Sequence, residues 1–352
     1  MQSKVNLIVL VIICSLSFGC TGPSFYIQAL GGHFEVLRNA VDIKDIDMAS
    51  LSKTERQKIN LTVQVRQFAK NELALSSKGS FHAYSKLDRQ FVVWNVFAAR
   101  KFSLTPKKTC FLVAGCVPYR GFFSKSAAKN YAEKLIKNGF DVYVAGIGAY
   151  STLGWFDDPL LSTVINRSDE SLAELVIHEL THQKIYFKND AEFNESFATA
   201  IAQEGVQRWL NFNNALSEKK GDELQKEEEL TKLILGVKLK LDTLYHTDET
   251  LEKKKLLKEH YFERLETDYS ALKNSWGTSS PYDAYMYEPW NNAKIMSFGA
   301  YHQLVPKFKE LIRIYDGDLP EVYRAVERVE KKSKKQRREL LFSRERKNKK
   351  SH

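Results

Sequence analysis

Apolar residues recur at helical spacing along most of this 352-residue chain and gather at strand-like density in only three short stretches. The strand candidates are Phe91 to Phe97, Cys110 to Val117 and Asp141 to Tyr150, each rich in β-branched or aromatic residues. Gly146 and Gly148 inside the third suggest a bulge or a close backbone approach. Helical spacing predicts a short helix over Phe25 to Leu37 and a surface helix over Lys53 to Leu75. A third follows from Ser124 to Asn138, stopped by Gly139. Two helices then follow in close succession, from about Ser171 to Ile185 and from about Ala191 to Leu210. Cap residues lie at Asn166 to Asp169, and Lys188-Asn189-Asp190 makes the turn between them. Between Glu223 and Leu272 the apolar positions keep helical spacing on both sides of a break at His246 to Asp248, which reads as an αα-hairpin. An aromatic loop from Trp276 to Pro289 and a helix from Asn291 to Tyr315, interrupted by Pro306, close the pattern. The fold class expected is α+β, a small mixed sheet followed by a mostly helical half with an inserted αα-hairpin.

The first residues change the picture of where the chain works. Lys4 precedes a short apolar run from Val5 to Ile13, too short to span a bilayer and of the length of a secretory signal. It ends in Ser17-Phe18-Gly19-Cys20, a site that suits a lipoprotein signal peptidase, although Leu16 lies one place earlier than such a site usually has it. Cys20 is the expected lipidated residue, anchoring the protein in the periplasm, with Thr21 favouring the outer membrane. Plain secretion and a retained anchor are the alternatives. Removal of residues 1–19 leaves Cys110 and Cys116, an even pair that in an oxidising compartment predicts a disulfide; two buried free thiols are the alternative.

Charge adds one distinction. The net charge is +10, but from Glu321 to His352 thirteen Lys/Arg face five Glu, so that segment alone carries +8. The excess describes a tail, not a nucleic-acid-binding domain, and no aromatic interleaving accompanies it. The tail is expected as a solvated, partly disordered or helical end, with contact to an anionic lipid surface or another polyanion as the sharper reading. The expected organisation is a signal over 1–19, an α/β part over 20–215, the hairpin over 216–275, a helical part over 276–320 and the tail over 321–352.

The chemistry concentrates in His178-Glu179-Leu180-Thr181-His182. Residues four apart share one face of a helix, so His178 and His182 can reach one ion. Glu179 stands beside them, placed to take a proton from a water, which is the arrangement of a zinc metalloprotease. A third ligand is required, and the hairpin geometry selects Glu195. His182 lies seven residues before the turn at Asn189 and Glu195 six after it, each about 10 Å away at 1.5 Å per residue. Ala198 and Ala202 on that face would let the helices approach closely. His178, His182 and Glu195 together make a His2Glu zinc set. Tyr150, Tyr301 and His302 are candidates for steadying an oxyanion. The strand from Val142 to Thr152, which carries Tyr150 and Ser151, is the candidate to pair with an extended peptide.

Cys110 to Phe123, Ala149 to Pro159, His178 to His182 and Phe193 to Thr199 together resemble the signature of the bacterial predicted aminopeptidases. The resemblance runs from Cys20 to about Tyr323 and implies a gluzincin-like zinc peptidase with a lipoprotein-type start. His178, His182 and Glu195 match its ligand positions and Glu179 its catalytic acid. An aminopeptidase needs an acidic group for the substrate's free amine. The strand from Val142 to Thr152 has no Glu, which leaves Asp157 and Asp158 as substitutes. The function expected is therefore zinc-dependent hydrolysis of a peptide or protein substrate, by an aminopeptidase anchored in the envelope. A zinc endopeptidase, a catalytically silent zinc-binding scaffold or chaperone, and a purely structural metal protein are the competing readings.

Overall fold

The computed structural model describes residues 23–343 apart from 78, 112–114, 151, 153–156, 214–217 and 278–279. The segment expected as a signal, Cys20, Ser151 and the last nine residues of the tail lie outside the described residues. Small sheets come first and a helical half follows, as the spacing predicts.

Helix α1 (Pro23–Arg38) leads to β1 (Ala40–Asp42), and α2 (Lys53–Glu72) begins on a capping box between Ser52 and Glu55. The strands do not form one sheet. β1, β2 (Ala83–Ser85) and β8 (Leu160–Leu161) form one small mixed sheet, with β2 parallel to β8. A second, antiparallel sheet has the order β6 (Tyr119–Phe122), β3 (Val93–Arg100), β7 (Phe140–Ile147). The stretch expected as one strand over Cys110 to Val117 is instead a hairpin, β4 (Thr109–Phe111) against β5 (Gly115–Val117), with Cys110 opposite Cys116 and joined to it by a disulfide.

Alternation along β3 and β7 places helices on both faces of the second sheet. Val96, Ala98, Val142 and Val144 pack on Ala128, Ala132 and Leu135 of α3 (Lys125–Lys137). Phe97, Tyr143 and Ala145 pack on the opposite side against Ala293 and Met296. Those two belong to a helix near the C-terminus, described below.

The largest core lies between α2, α4 (Asp169–Lys184), α5 (Ala191–Phe212) and the C-terminal helices α10 (Val305–Ile314), α11 (Leu319–Glu327) and α12 (Lys334–Phe342). The predicted hairpin is present as α6 (Glu218–Tyr245) and α7 (Leu251–Trp276). It has its own cluster around Ile234, Leu241, Leu265 and Tyr269, closed by Met286 of the short α8 (Asp283–Met286) and by Trp290. α9 (Asn292–His302) is fastened at its start. Asn292 Nδ2 donates to the carbonyls of Arg100 and Lys101, Asn291 Nδ2 donates to the Val142 carbonyl at 2.9 Å, and the Tyr245 hydroxyl donates to Asn292 Oδ1. Thus β7 is an edge strand, as a peptide-pairing strand must be, but Asn291 already occupies its outer edge at Val142.

The tail departs from the solvated end expected of it. α11 buries Leu319, Val322, Tyr323 and Val326, and α12 buries Leu341 and Phe342. Charge fills the outer positions and conceals two amphipathic helices of the core. Among the described residues no helix is long and apolar enough to cross a membrane.

Candidate metal centre

α4 starts on Ser168, whose side chain accepts from the Ser171 amide, with Asp169 and Glu170 complementing the helix dipole in the first turn. Leu172, Ala173, Val176, Ile177 and Leu180 form its buried apolar face. A neighbouring stripe carries Glu174, His178 and His182 at four-residue intervals. α5 packs closely on α4, with Ala198 and Ala202 fully buried. A Cβ at Gly205 would come within 3.0 Å of Ile177, so the close approach requires glycine there.

The turn between these helices is built from Asn194. Its Oδ1 accepts from the Phe187 amide and its Nδ2 donates to the Phe187 carbonyl, both at 2.8 Å. Asn189 takes a positive φ of 65°, tolerated by Asn, and its Oδ1 accepts from the Cys116 amide at 2.7 Å. The disulfide hairpin therefore docks on the turn that aligns the two helices. Gly115 makes this possible: its φ is +74° and a Cβ there would lie 2.9 Å from the Asn189 nitrogen. Cys110→Ser with Cys116→Ser is expected to cost about 2 kcal/mol, the loop-closure value for so short a ring. Thermal unfolding with and without reductant checks this; equal melting of the variant and the oxidised protein would refute it.

The turn brings three donor atoms together. His182 Nε2 is 3.1 Å from His178 Nε2, and Glu195 Oε2 lies 3.3 Å from His178 Nε2 and 3.5 Å from His182 Nε2. Four-coordinate zinc with bonds of about 2.0–2.1 Å has ligand atoms about 3.3–3.4 Å apart, so the three atoms form one face of such a tetrahedron. Their chemistry agrees: only one proton fits between two imidazole nitrogens that face each other. Burial pushes the Glu195 carboxyl up, but the two imidazoles outweigh it and hold the group well below the usual carboxylate range. Burial likewise opposes a charge on His182, and the Glu195 carboxylate reverses this, so its pKa is raised. The residues fit a divalent zinc-like ion. His182 Nδ1 is buried with no hydrogen bond among the described residues, and Tyr186 lies edge-on to the ring at 6.1 Å.

Several groups surround the triad. The Glu179 charge acts on Arg167, Tyr119, His182 and Tyr301. Tyr301 arrives on α9; burial and the Glu195 carboxylate raise its pKa far enough to keep the phenol protonated. His302 stacks on Phe298 with centroids 4.2 Å apart, and burial together with His178 lowers its pKa to about 4, so it is neutral at physiological pH. The structure therefore brings His178, His182 and Glu195 together, with Glu179, Tyr301 and His302 within electrostatic reach of them. It does not bring Tyr150 there. The Tyr150 hydroxyl lies 2.6 Å from His33 Nδ1, and the charges acting on it are Asp158 and Arg89. Asp158 is engaged as well, its Oδ2 accepting from the Thr152 amide at 2.8 Å.

Sequence reasoning missed two tyrosines. Tyr119 on β6 is raised by burial and by Glu195, and Tyr186 is pushed up to about 12 by the same two causes. Tyr186 lies four residues beyond His182, a spacing that was visible; Tyr119 reaches the site only through the sheet. The model of the Putative aminopeptidase family matches residues 24–341. The chain belongs to that family. Comparison with curated proteins and with solved structures returns no match. The family match spans the disulfide hairpin, both helices of the triad and all but the last residue of α12, so the Putative aminopeptidase unit includes the C-terminal helices.

Proposed function

We propose that this chain is a zinc metallopeptidase of the aminopeptidase type, attached to the bacterial envelope, most suitably the outer membrane, through lipidated Cys20. The observation that carries the reading is the convergence of His178, His182 and Glu195 to tetrahedral edge distances, with Glu179 on the same helix and not among the ligands. An ion held there would supply Lewis acidity and an acidified water. Glu179 takes the water's proton and delivers it to the leaving amine. The protonated Tyr301 phenol donates to the oxygen on which negative charge develops, a role the neutral His302 can share. A gluzincin-like mechanism with a peptide or protein substrate follows, and the basic surface of the tail suits an anionic membrane.

The test is zinc stoichiometry by elemental analysis together with a mixed peptide library. One zinc per chain, cleavage lost to 1,10-phenanthroline and cleavage restored by zinc are expected. No zinc after metal is supplied would sink the reading; one zinc with no cleavage would favour a silent scaffold. Tyr301→Phe is expected to lower kcat about 100-fold with little change in KM, the usual cost of one oxyanion donor. An unchanged kcat would remove Tyr301 from that role.

A further inference from the structure

The stripe of α4 that carries the two histidines has a third member, a carboxylate. Glu174 lies one turn before His178, on the same face. Only burial and through-space charges act on its carboxylate; it accepts no hydrogen bond among the described residues. The Glu227 carboxylate of α6 is within electrostatic reach of it. Gln203 of α5 joins the group by donating Nε2 to Glu227 Oε1 at 2.8 Å. Gln203 is only 7% exposed, and its Oε1 is buried with no donor.

The result is a part-buried set of acceptors one helical turn from the metal ligands, in which the Gln203 amide oxygen is fully buried. Nearby cations do not satisfy it. Arg167 and Lys309 act on Glu174 only through space, and Lys309 Nζ is bound to Glu228 at 2.8 Å. Burial and the neighbouring carboxylate push Glu174 up to about 7, and burial raises Glu227 as well. A compact cation with several N–H donors would relieve both the like-charge contact and the orphaned amide oxygen.

We propose that Glu174, Glu227 and Gln203 form the subsite that holds the free α-ammonium group of the substrate. The proposal rests on the peptidase reading above and deepens it. An ammonium carries three donors, and the site offers two carboxylates and one amide oxygen. Position agrees too. An α-amine is two bonds from the carbonyl carbon of its own residue, so a subsite within about one turn of the ligands, a rise of about 6 Å, can hold the amine while that carbonyl lies at the metal. Cleavage then falls after the first residue, and an N-acylated peptide, which brings neither the charge nor the donors, is rejected.

Two measurements on the full-length chain, purified in detergent with zinc supplied, test this. The first needs no turnover. Glu179→Gln protein is titrated calorimetrically with leucine amide and with 4-methylpentanamide, its des-amino analogue. Leucine amide is expected to bind about 100-fold more tightly, the scale of a buried charge contact. Adding Glu174→Gln, or separately Glu227→Gln, should remove most of that difference while zinc stays at one per chain. Equal binding of the two amides in the parent, or discrimination that survives both substitutions, overturns the proposal. The second compares cleavage of peptides with free and N-acetylated termini. Preference for the free terminus that falls in either variant supports the subsite. Equal cleavage of both by the unmutated enzyme overturns it and leaves the peptidase reading standing. Failure to bind zinc sinks the peptidase reading and the subsite with it, an outcome distinct from zinc binding with no discrimination between the two amides, which overturns the subsite alone.

Discussion

Glu179→Gln is expected to retain one zinc per chain and to hydrolyse peptides about 10³-fold more slowly. The argument is one of separation between binding and chemistry. The converging donor atoms come from His178, His182 and Glu195, and Glu179 contributes none of them. Its carboxylate instead acts on Tyr301, Tyr119 and Arg167, groups arriving from three other segments of the chain. Glutamine keeps the shape and removes the acceptor for the water's proton. Glu195→Gln should behave differently. It replaces the anionic ligand that sits 3.3 and 3.5 Å from the two imidazoles, so metal and activity should be lost together. Elemental analysis separates the two variants where an activity assay alone would not. Near-normal turnover by Glu179→Gln would remove Glu179 as the proton carrier, and loss of metal in that variant would make it a ligand.

The parts of this site that were legible in the sequence are those set by local spacing. Two histidines four apart need only a helix to meet, and Glu195 needs only a tight turn and an antiparallel partner. Each is a property of fewer than about 20 residues. Glu174 belongs to the same stripe and was equally visible, but a lone carboxylate on a helix is ordinarily solvated, and the like charge that acts on it comes from Glu227 of the distant α6. Tyr119 and Tyr301 come from opposite ends of the fold, brought together by the way α9 packs against Phe97, Tyr143 and Ala145. Tyr150 was misplaced for the same reason. Its hydroxyl turns to His33 of α1, and no local pattern distinguishes the two faces there. The strand over Cys110 to Val117 failed because the chain doubles back between Phe111 and Gly115, which composition alone presents as one apolar run.

The C-terminal segment is the largest difference between pattern and structure, and it leads to the second expected result. Asp190→Ala should destabilise the protein by about 3–5 kcal/mol and weaken zinc binding. Asp190 stands at the start of α5 yet makes no side-chain cap there. Its carboxylate is 1% exposed and receives Arg337 Nη1 at 2.8 Å and Arg338 Nη2 at 3.1 Å, both from α12. Arg338 is partly solvated and its share is small. Arg337 is buried to 9% exposure, lies over the Phe187 ring at 4.4 Å and also donates to the Glu330 carbonyl. Removing Asp190 leaves that guanidinium desolvated and without its anion, which is why truncating one partner costs more than the pair contributes. Asp190→Ala combined with Arg337→Met should recover much of the loss, because no buried charge is then stranded. Phe187 and Asn194 form the turn on either side of Asp190, and Glu195 follows within two turns of helix, so loosening α12 should move the third ligand as well. Urea unfolding and zinc competition, measured on the single and double variants, give both readouts. If Asp190→Ala unfolds at the same urea concentration as the unmutated protein, α12 is only a cover on the core; if stability falls but zinc affinity does not, the clamp holds the fold without aligning the site.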